Sequence, residues 1–365
     1  MNVGYLSGRG YLICRDAVHG RERVGLAIMT MGRGQGDDQA GSVEPSLRDR
    51  AGQVLAGNVR AASRLISDAQ DRTKAARGVL QYLYPHCGQA RLIGVTGPPG
   101  VGKSTLLSAL IGELRRRDLT VGVIAVDPSS PFSGGAVLGD RDRMQGFSGD
   151  SGVFIRSLAT RGATGGLCAA ANDAVDVLDA MGKDVVLIET VGVGQSEIEI
   201  ARIANTVLLV LVPGYGDSLQ AMKAGVMEIA DILVVNKADS QGADGAVRDL
   251  QSMDYYQAVP EGDEMWQVPV LRTVATRGEG VAELVDEVFS QIEFAERTGW
   301  KRARQRARRT RQFVDELTSE IRMEFFDSMD QDIGTAALIR RIESMETDPY
   351  SASAEVLAKF KKAYI

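Results

Sequence analysis

The segment Gly97-Pro-Pro-Gly-Val-Gly-Lys-Ser104 constrains this chain more than any other part of it. It fits the pattern G-x-x-x-x-G-K-[ST] at every fixed position, and it lies between a strand-like apolar run, Arg91–Thr96, and an amphipathic run, Thr105–Leu114. A glycine-rich loop in this setting turns successive backbone N–H groups toward an anion, which the helix dipole also favours. A chance match is expected only about once per hundred chains of this length. The segment therefore predicts a loop that binds the phosphates of a nucleoside triphosphate.

Two side chains of this loop have distinct expected roles. Lys103 is predicted to reach the β- and γ-phosphates and to act in catalysis, and Ser104 is predicted to hold Mg²⁺. The residues expected to contact the phosphates are Gly97, Pro98, Pro99, Gly100, Val101, Gly102, Lys103, Ser104 and Thr105.

A second motif, Asn236-Lys-Ala-Asp239, directly follows the apolar run Asp231–Val235 and so lies at the carboxyl end of a predicted strand, where open α/β sheets bind ligands. A carboxylate at Asp239 can accept hydrogen bonds from N1–H and the exocyclic amine of guanine, whereas adenine has an acceptor at N1. A mismatched base would leave buried polar groups unpaired, at about 1–3 kcal/mol per group. Asn236 and Lys237 are expected to tie this loop back to the phosphate loop. The motif therefore predicts GTP and GDP as the bound nucleotides.

Between these motifs lie the candidates for Mg²⁺ and for the γ-phosphate. The apolar run Asp184–Glu189 ends in a carboxylate, and Glu189 and Gly192 have the spacing of a D-x-x-G element with Glu in place of Asp. We expect Glu189 to hold Mg²⁺ and the Gly192 N–H to contact the γ-phosphate. Asp127, at the end of another apolar run, is a further metal candidate. Asp140 is a weaker one, because a solvated loop charge explains it equally well.

Composition favours a cytoplasmic α/β enzyme. Three scattered cysteines without a C-x-x-C pair, and only two histidines, indicate neither a disulfide framework nor a zinc site. The net charge of −6 gives no reason to expect nucleic acid, and no apolar run approaches the ~20 residues that span a bilayer. We expect no secretory signal, since the amino-terminal residues lack an apolar core.

Apolar runs and amphipathic segments alternate along the chain, which predicts a mainly parallel sheet covered by helices on both faces. The predicted strands are 92–96, 121–126, 153–156, 184–189, 206–212, 232–236 and 269–274. We expect four segments: a disordered extension over 1–45, with Met29 or Met31 as an alternative start; two helices within 46–88; a nucleotide-binding domain over 89–290; and a helical arm over 291–365.

Two features of the arm call for partners. Phe313, Leu317, Ile321 and Phe325 form an apolar stripe at i, i+4 spacing. The segment 301–311 contains seven cations in eleven residues, which indicates either an anionic contact or a solvated helix face. Near the end, Asp348-Pro349 has the pattern of a helix N-cap followed by proline at the first helical position.

From about residue 46 onward the chain resembles the P-loop GTPases of the MeaB/ArgK/methylmalonic-aciduria-type-A group. The most specific string is Glu189-Thr-Val-Gly-Val-Gly-Gln-Ser-Glu197. The other segments that carry the resemblance are 97–105, Val126-Asp-Pro-Ser-Ser130, Gly134-Gly135, Leu138-Gly-Asp140, Arg143-Met144, Pro213-Gly-Tyr-Gly-Asp217 and 236–239.

The resemblance implies a GTPase chaperone that escorts an adenosylcobalamin-dependent acyl-CoA mutase, by default methylmalonyl-CoA mutase. It also implies that loops 127–144, 190–199 and 213–225 sense the nucleotide and that the C-terminal helices form a homodimer. No ligand for cobalamin is visible in the sequence. Three alternatives remain: a nickel or cobalt metallochaperone, a transport-associated ATPase or kinase, and a GTPase that binds nucleic acid through residues 301–311.

Overall fold

The chain divides between Pro45 and Ser46 into two units. The computed structural model describes residues 14–18, 21–25, 45–127, 146–147, 149–159, 166–190, 199–214, 227–259, 263–330 and 333–364. In the first unit, strands β1 (Cys14–Val18) and β2 (Arg21–Gly25) pair as an antiparallel hairpin. The composition of this segment predicts no regular structure, so the hairpin departs from the sequence-based expectation.

The second unit is built on a seven-stranded parallel sheet. Its strands are β3 (Arg91–Thr96), β4 (Val121–Asp127), β5 (Val153–Ala159), β6 (Val185–Glu189), β7 (Thr206–Leu211), β8 (Ile232–Val235) and β11 (Val270–Arg272). They lie in the order β11-β8-β7-β3-β6-β4-β5, with every pairing parallel. The predicted fold class is confirmed, because each of these strands overlaps a predicted apolar run.

Helices cover both faces of this sheet. They are α1 (Pro45–Leu55), α2 (Val59–Gln70), α3 (Lys74–Leu83), α4 (Lys103–Arg116), α5 (Gly166–Ala180), α6 (Ala243–Gln251), α7 (Val281–Arg297), α8 (Trp300–Asp330), α9 (Ile333–Glu343) and α10 (Pro349–Tyr364). Within the described ranges, none of these helices combines the length and apolar character that crossing a bilayer requires.

Successive strand side chains alternate between apolar clusters on the two faces of the sheet. In β3, Leu92 packs with the cluster formed by α1, α2, α3 and α5, whereas Ile93 and Val95 pack with α4 and α7. The alternation has a period of two residues, as a pleated strand requires. Because both faces are buried, the strands read as continuous apolar runs in the sequence.

The amino-terminal segment contains three helices, so the prediction of two is wrong. Gly57, with φ of 79°, ends α1, and Arg72, with φ of 52°, ends α2. The following residue caps the next helix in each case. The Asn58 side chain accepts hydrogen bonds from the backbone N–H groups of Arg60 and Ala61, and Thr73 accepts one from Ala76. Cap residues after a left-handed residue mark these breaks, which apolar periodicity alone does not show.

Two features at the carboxyl side complete the unit. Strands β9 (Tyr256–Ala258) and β10 (Met265–Gln267) form a short antiparallel hairpin that the sequence analysis did not predict, because three-residue strands carry little pattern. The cap predicted for the last helix is present. The Asp348 carboxylate accepts hydrogen bonds at 2.9 Å from the N–H groups of Tyr350 and Ser351.

The basic segment 301–311 attaches the long helix α8 to the sheet unit. Arg304 forms two 2.8 Å hydrogen bonds with the fully buried carboxylate of Asp231, which precedes β8. Arg308 and Arg309 both bond to Asp176 of α5, each at 2.7 Å. These arginines therefore do make contacts with anionic groups, but the groups are carboxylates of the same chain rather than an external partner.

The Arg304–Asp231 contact provides a test of how the arm is held. Replacing Asp231 with Ala removes the carboxylate partner of Arg304 and the acceptor of the buried Val207 N–H, so we expect the free energy of unfolding to fall by about 3–5 kcal/mol. Urea unfolding measures this loss. The matched control is Arg306→Ala, since Arg306 is an exposed cation of the same segment, and its effect should stay within ~0.5 kcal/mol. Equal effects of the two substitutions would contradict this interpretation.

Candidate functional site

The phosphate-binding motif forms the loop between β3 and α4. Gly97, Gly100 and Gly102 have φ values of 141°, 79° and 91°, a region that residues with a side chain rarely adopt. Two of them are also closely packed. A Cβ added at Gly97 would lie 2.2 Å from the Val210 carbonyl oxygen of β7, and one at Gly102 would lie 2.7 Å from the Asn236 amide nitrogen. The loop therefore adopts a conformation that these glycines permit.

Lys103 and Ser104 lie in the first turn of α4, and both are buried. The Lys103 ammonium donates hydrogen bonds to the carbonyl oxygens of Gly97 and Pro98, at 2.7 and 3.0 Å. The side chain thus folds back over the loop that it follows. Its positive charge lies among the loop carbonyls, next to the amino end of the helix, where an anion is favoured.

Ser104 meets Glu189 at the carboxyl edge of the sheet. The Ser104 hydroxyl donates a 2.8 Å hydrogen bond to the Glu189 carboxylate, and Glu189 is 4% exposed. Nearby, the hydroxyl groups of Thr96 and Thr190 are 3.1 Å apart. Hydroxyl and carboxylate oxygens are the ligand types that Mg²⁺ prefers, so the donor chemistry of this pair fits that ion.

Of the other residues predicted to bind the metal or the γ-phosphate, the structure describes only Asp127. Asp127 ends β4, two residues beyond Ala125, which lies opposite Glu189 in the sheet register, so its backbone is at the same edge. Asp140 and Gly192 lie outside the described residues, as do most of the predicted sensing loops 127–144, 190–199 and 213–225.

The second predicted motif follows β8 and contacts the phosphate loop directly. The buried Asn236 amide donates a 2.8 Å hydrogen bond to the Val101 carbonyl oxygen, and the Lys237 ammonium donates one of 2.9 Å to that of Gly100. Lys237 adopts φ of 54°, an uncommon value for a residue with a side chain. The sequence predicts this tie between the two loops, and both hydrogen bonds are present.

The other residues of the phosphate loop differ in their exposure to solvent. Val101 is fully buried beneath α4, and Pro98 is buried, whereas Pro99 and Gly100 are exposed. Thr105 is half-buried in the first turn of α4. The exposed backbone of the loop therefore faces away from the core.

A third loop, between β11 and α7, belongs to the same site, and no sequence-based prediction of the site includes it. The Asn236 side-chain oxygen accepts hydrogen bonds from the Thr273 hydroxyl, at 3.1 Å, and from the Ala275 N–H, at 3.2 Å. Arg277 of this loop donates a 3.2 Å hydrogen bond to Asp239. The signal that could have identified it is Ala275-Thr-Arg-Gly-Glu-Gly280, a turn-forming run directly after a strand that ends at the ligand-binding edge.

Charge at the third loop centres on Arg277. Its guanidinium also forms two hydrogen bonds with the Glu279 carboxylate, at 2.7 and 3.1 Å. The bond to Glu279 raises the pKa of Arg277, and Arg277 lowers the pKa of Glu279. The Asp239 side chain is 41% exposed beside this pair, so its carboxylate can be reached from solvent.

A phosphate loop between strand and helix, joined to an N-K-x-D loop at one edge of a parallel sheet, defines a P-loop GTPase. Comparison with known proteins agrees. The sequence profile described as "Methylmalonyl Co-A mutase-associated GTPase MeaB" matches residues 59–330. The chain belongs to this family and is a GTPase.

Individual relatives extend this match. A putative GTPase of Pyrococcus abyssi is 47% identical over 82% of this chain and 93% of its own length. The mitochondrial methylmalonic aciduria type A homolog of Mus musculus is 39% identical over 53% of this chain and 47% of its own. A crystal structure described as a LAO/AO transport system kinase superposes with a TM-score of 0.61 and 25% identity, covering 87% of this chain and 99% of that one.

The close packing of Gly97 against β7 leads to a prediction. Gly97→Ala places a methyl group against the Val210 carbonyl oxygen and forces φ of 141° on alanine, which should cost about 1–3 kcal/mol of stability and displace the phosphate loop. We expect GDP affinity, measured by calorimetry, to fall at least about tenfold, since 1.4 kcal/mol of lost binding free energy corresponds to that factor.

Gly52→Ala in α1 is the matched control for Gly97→Ala, because a Cβ there meets nothing within 4 Å. It should leave GDP binding unchanged and stabilise the helix by up to ~1 kcal/mol. Unchanged GDP affinity in the Gly97→Ala variant would show that the close approach to β7 does not define the loop.

Proposed function

We propose that this GTPase is a chaperone that acts in the cytoplasm on an adenosylcobalamin-dependent acyl-CoA mutase, with methylmalonyl-CoA mutase as partner, in loading, protecting or reactivating its cofactor. The family match supports the association with a mutase. The proposal that the chain binds a guanine nucleotide rests on the two hydrogen bonds from Asn236 and Lys237 to the phosphate loop, because they join a predicted phosphate site to a predicted base site.

In this proposal the nucleotide lies along the carboxyl edge of the sheet. The backbone of residues 97–105 surrounds the phosphates, and Lys103 exchanges its bonds to the loop carbonyls for bonds to the β- and γ-phosphates. Asp239 accepts from guanine, and Asn236 and Lys237 hold the base loop against the phosphate loop. Hydrolysis then rests on positioning and charge neutralisation by Lys103, Glu189 and the Gly192 N–H, without a covalent intermediate.

Mg²⁺ is the proposed metal of the site. Ser104 and Glu189 would hold it, with Asp127 and Asp140 as further candidates, and when bound it would neutralise phosphate charge. Cobalamin has no proposed ligand on this chain. Among the described residues, no group of three or more His, Cys, Asp or Glu side chains could hold a metal ion, so those residues offer no support for a nickel or cobalt metallochaperone.

The decisive experiment combines hydrolysis with the partner. Purified protein should hydrolyse GTP slowly and ATP far more slowly, and addition of methylmalonyl-CoA mutase should accelerate GTP hydrolysis by reordering the nucleotide loops. Lys103→Ala should abolish hydrolysis with and without the mutase. An absence of stimulation by any acyl-CoA mutase would contradict the chaperone role while leaving the GTPase activity intact.

A second candidate, phosphoryl transfer to a protein, is favoured by the description of the similar crystal structure as a transport system kinase. The same assay separates the two, with γ-labelled ATP and GTP as substrates. Label transferred to a protein acceptor, with ATP preferred over GTP, would favour the kinase. Release of the label as free phosphate from GTP would favour the chaperone GTPase.

We also propose that the arm forms a homodimer. On α8, Phe313, Leu317 and Ile321 of the apolar stripe are 66, 46 and 53% exposed, and the adjacent Val314 is 50% exposed, so a second copy would cover this surface. Leu317→Glu places a charge in it and should convert the dimer to a monomer in sedimentation analysis. Ser344→Glu, at an exposed position after α9, is the matched control and should remain dimeric. A wild-type monomer would contradict the proposal.

A further inference from the structure

We propose that Arg277 sets the selectivity for guanine by holding the Asp239 carboxylate in the orientation in which it accepts hydrogen bonds from the base. The inference rests on the proposed function in one respect, namely that Asp239 is the residue that reads guanine. It assigns a positioning role to a residue outside the four-residue motif.

Arg277 is fixed at three points before it reaches Asp239. Its Nε and one terminal nitrogen bond to the two oxygens of Glu279, at 2.7 and 3.1 Å. Its own backbone N–H donates a 2.9 Å hydrogen bond to the Val274 carbonyl oxygen, and a bridge between Val274 and Glu279 closes the turn. The guanidinium is planar, so these contacts also fix the direction of the remaining nitrogen, which donates to Asp239 Oδ2 at 3.2 Å.

Asp239 needs such a partner. Its side chain is 41% exposed, and the last torsion of an aspartate side chain is broad, so the plane of an isolated carboxylate varies. Two parallel hydrogen bonds from N1–H and the exocyclic amine of guanine require both oxygens to lie in the plane of the base. A carboxylate whose plane is fixed beforehand avoids the entropy cost of ordering it on binding.

The contact with Arg277 is compatible with base binding. An ionised carboxylate has about four lone-pair sites, so Oδ2 can accept from Arg277 on its outer side and from a base N–H on its inner side. The same arrangement disfavours adenine, whose N1 acceptor would face the carboxylate.

The test compares two nucleotides that differ in one donor. Inosine diphosphate keeps N1–H but lacks the exocyclic amine, so it needs one carboxylate oxygen where GDP needs both. In the Arg277→Met variant of the full chain, we expect calorimetry to show GDP affinity about tenfold lower, the effect of weakening a charge-assisted pair of hydrogen bonds. Affinity for inosine diphosphate should fall only about threefold, since a single bond tolerates tilting of the carboxylate.

Three further variants isolate the positioning role. Arg277→Lys should show a GDP preference between those of the wild type and Arg277→Met, because lysine supplies a hydrogen-bond donor but lacks the planar guanidinium. Arg272→Met is the matched control, since the Arg272 guanidinium pairs with the exposed Asp244 rather than with Asp239, and it should change neither affinity. In an Asp239→Asn background, Arg277→Met should lower GDP affinity by less than about a further twofold, because the interaction between the two residues is already lost.

The outcomes distinguish this inference from the proposed function. An unchanged ratio of GDP to inosine diphosphate affinity in Arg277→Met, with GDP bound normally by the wild type, would overturn the role of Arg277 alone. A wild-type protein that binds neither nucleotide, or that prefers ADP, would overturn the proposed base site itself. A fall in both affinities by the same factor would show that Arg277 supports the loop without orienting the carboxylate.

Discussion

The buried side-chain amide of Asn236 is the interaction on which the site depends. Its nitrogen donates to the phosphate loop at Val101, and its oxygen accepts from Thr273 and Ala275 in the loop after β11. An amide offers both donors and acceptors in a fixed plane, so one residue joins three loops that come from separate parts of the chain. Because Asn236 is 2% exposed, water does not compete for these bonds, and the three loops keep a common geometry.

The sheet, and the contact between the phosphate loop and residues 236–239, could be predicted from the sequence because their signals are local. Strands buried on both faces appear as continuous apolar runs, and the glycines at 97, 100 and 102 are required by backbone conformation. The prediction gave two amino-terminal helices instead of three because Asn58 and Thr73 begin new helices as N-caps, a signal that apolar periodicity does not include.

The role of the third loop and the contacts of the basic segment could not be predicted, because they depend on residues far apart in the chain. Arg277 meets Asp239 across 38 positions, and Arg304 meets Asp231 across 73. No periodicity or spacing links residues so far apart, and only the parallel crossover connections bring them together. The segment 301–311 illustrates the limit well, since its composition indicates charge but not the direction in which each side chain points.

The contact between Gly97 and β7 has an evolutionary consequence. A methyl group at position 97 would lie 2.2 Å from the Val210 carbonyl oxygen, which is main chain, so no substitution at position 210 can make room for it. A side chain at position 97 could be accommodated only by displacing main chain, either the phosphate loop or β7 itself. Glycine at position 97 is therefore favoured by two main-chain features together, its φ of 141° and its approach to β7, and replacing neighbouring side chains changes neither.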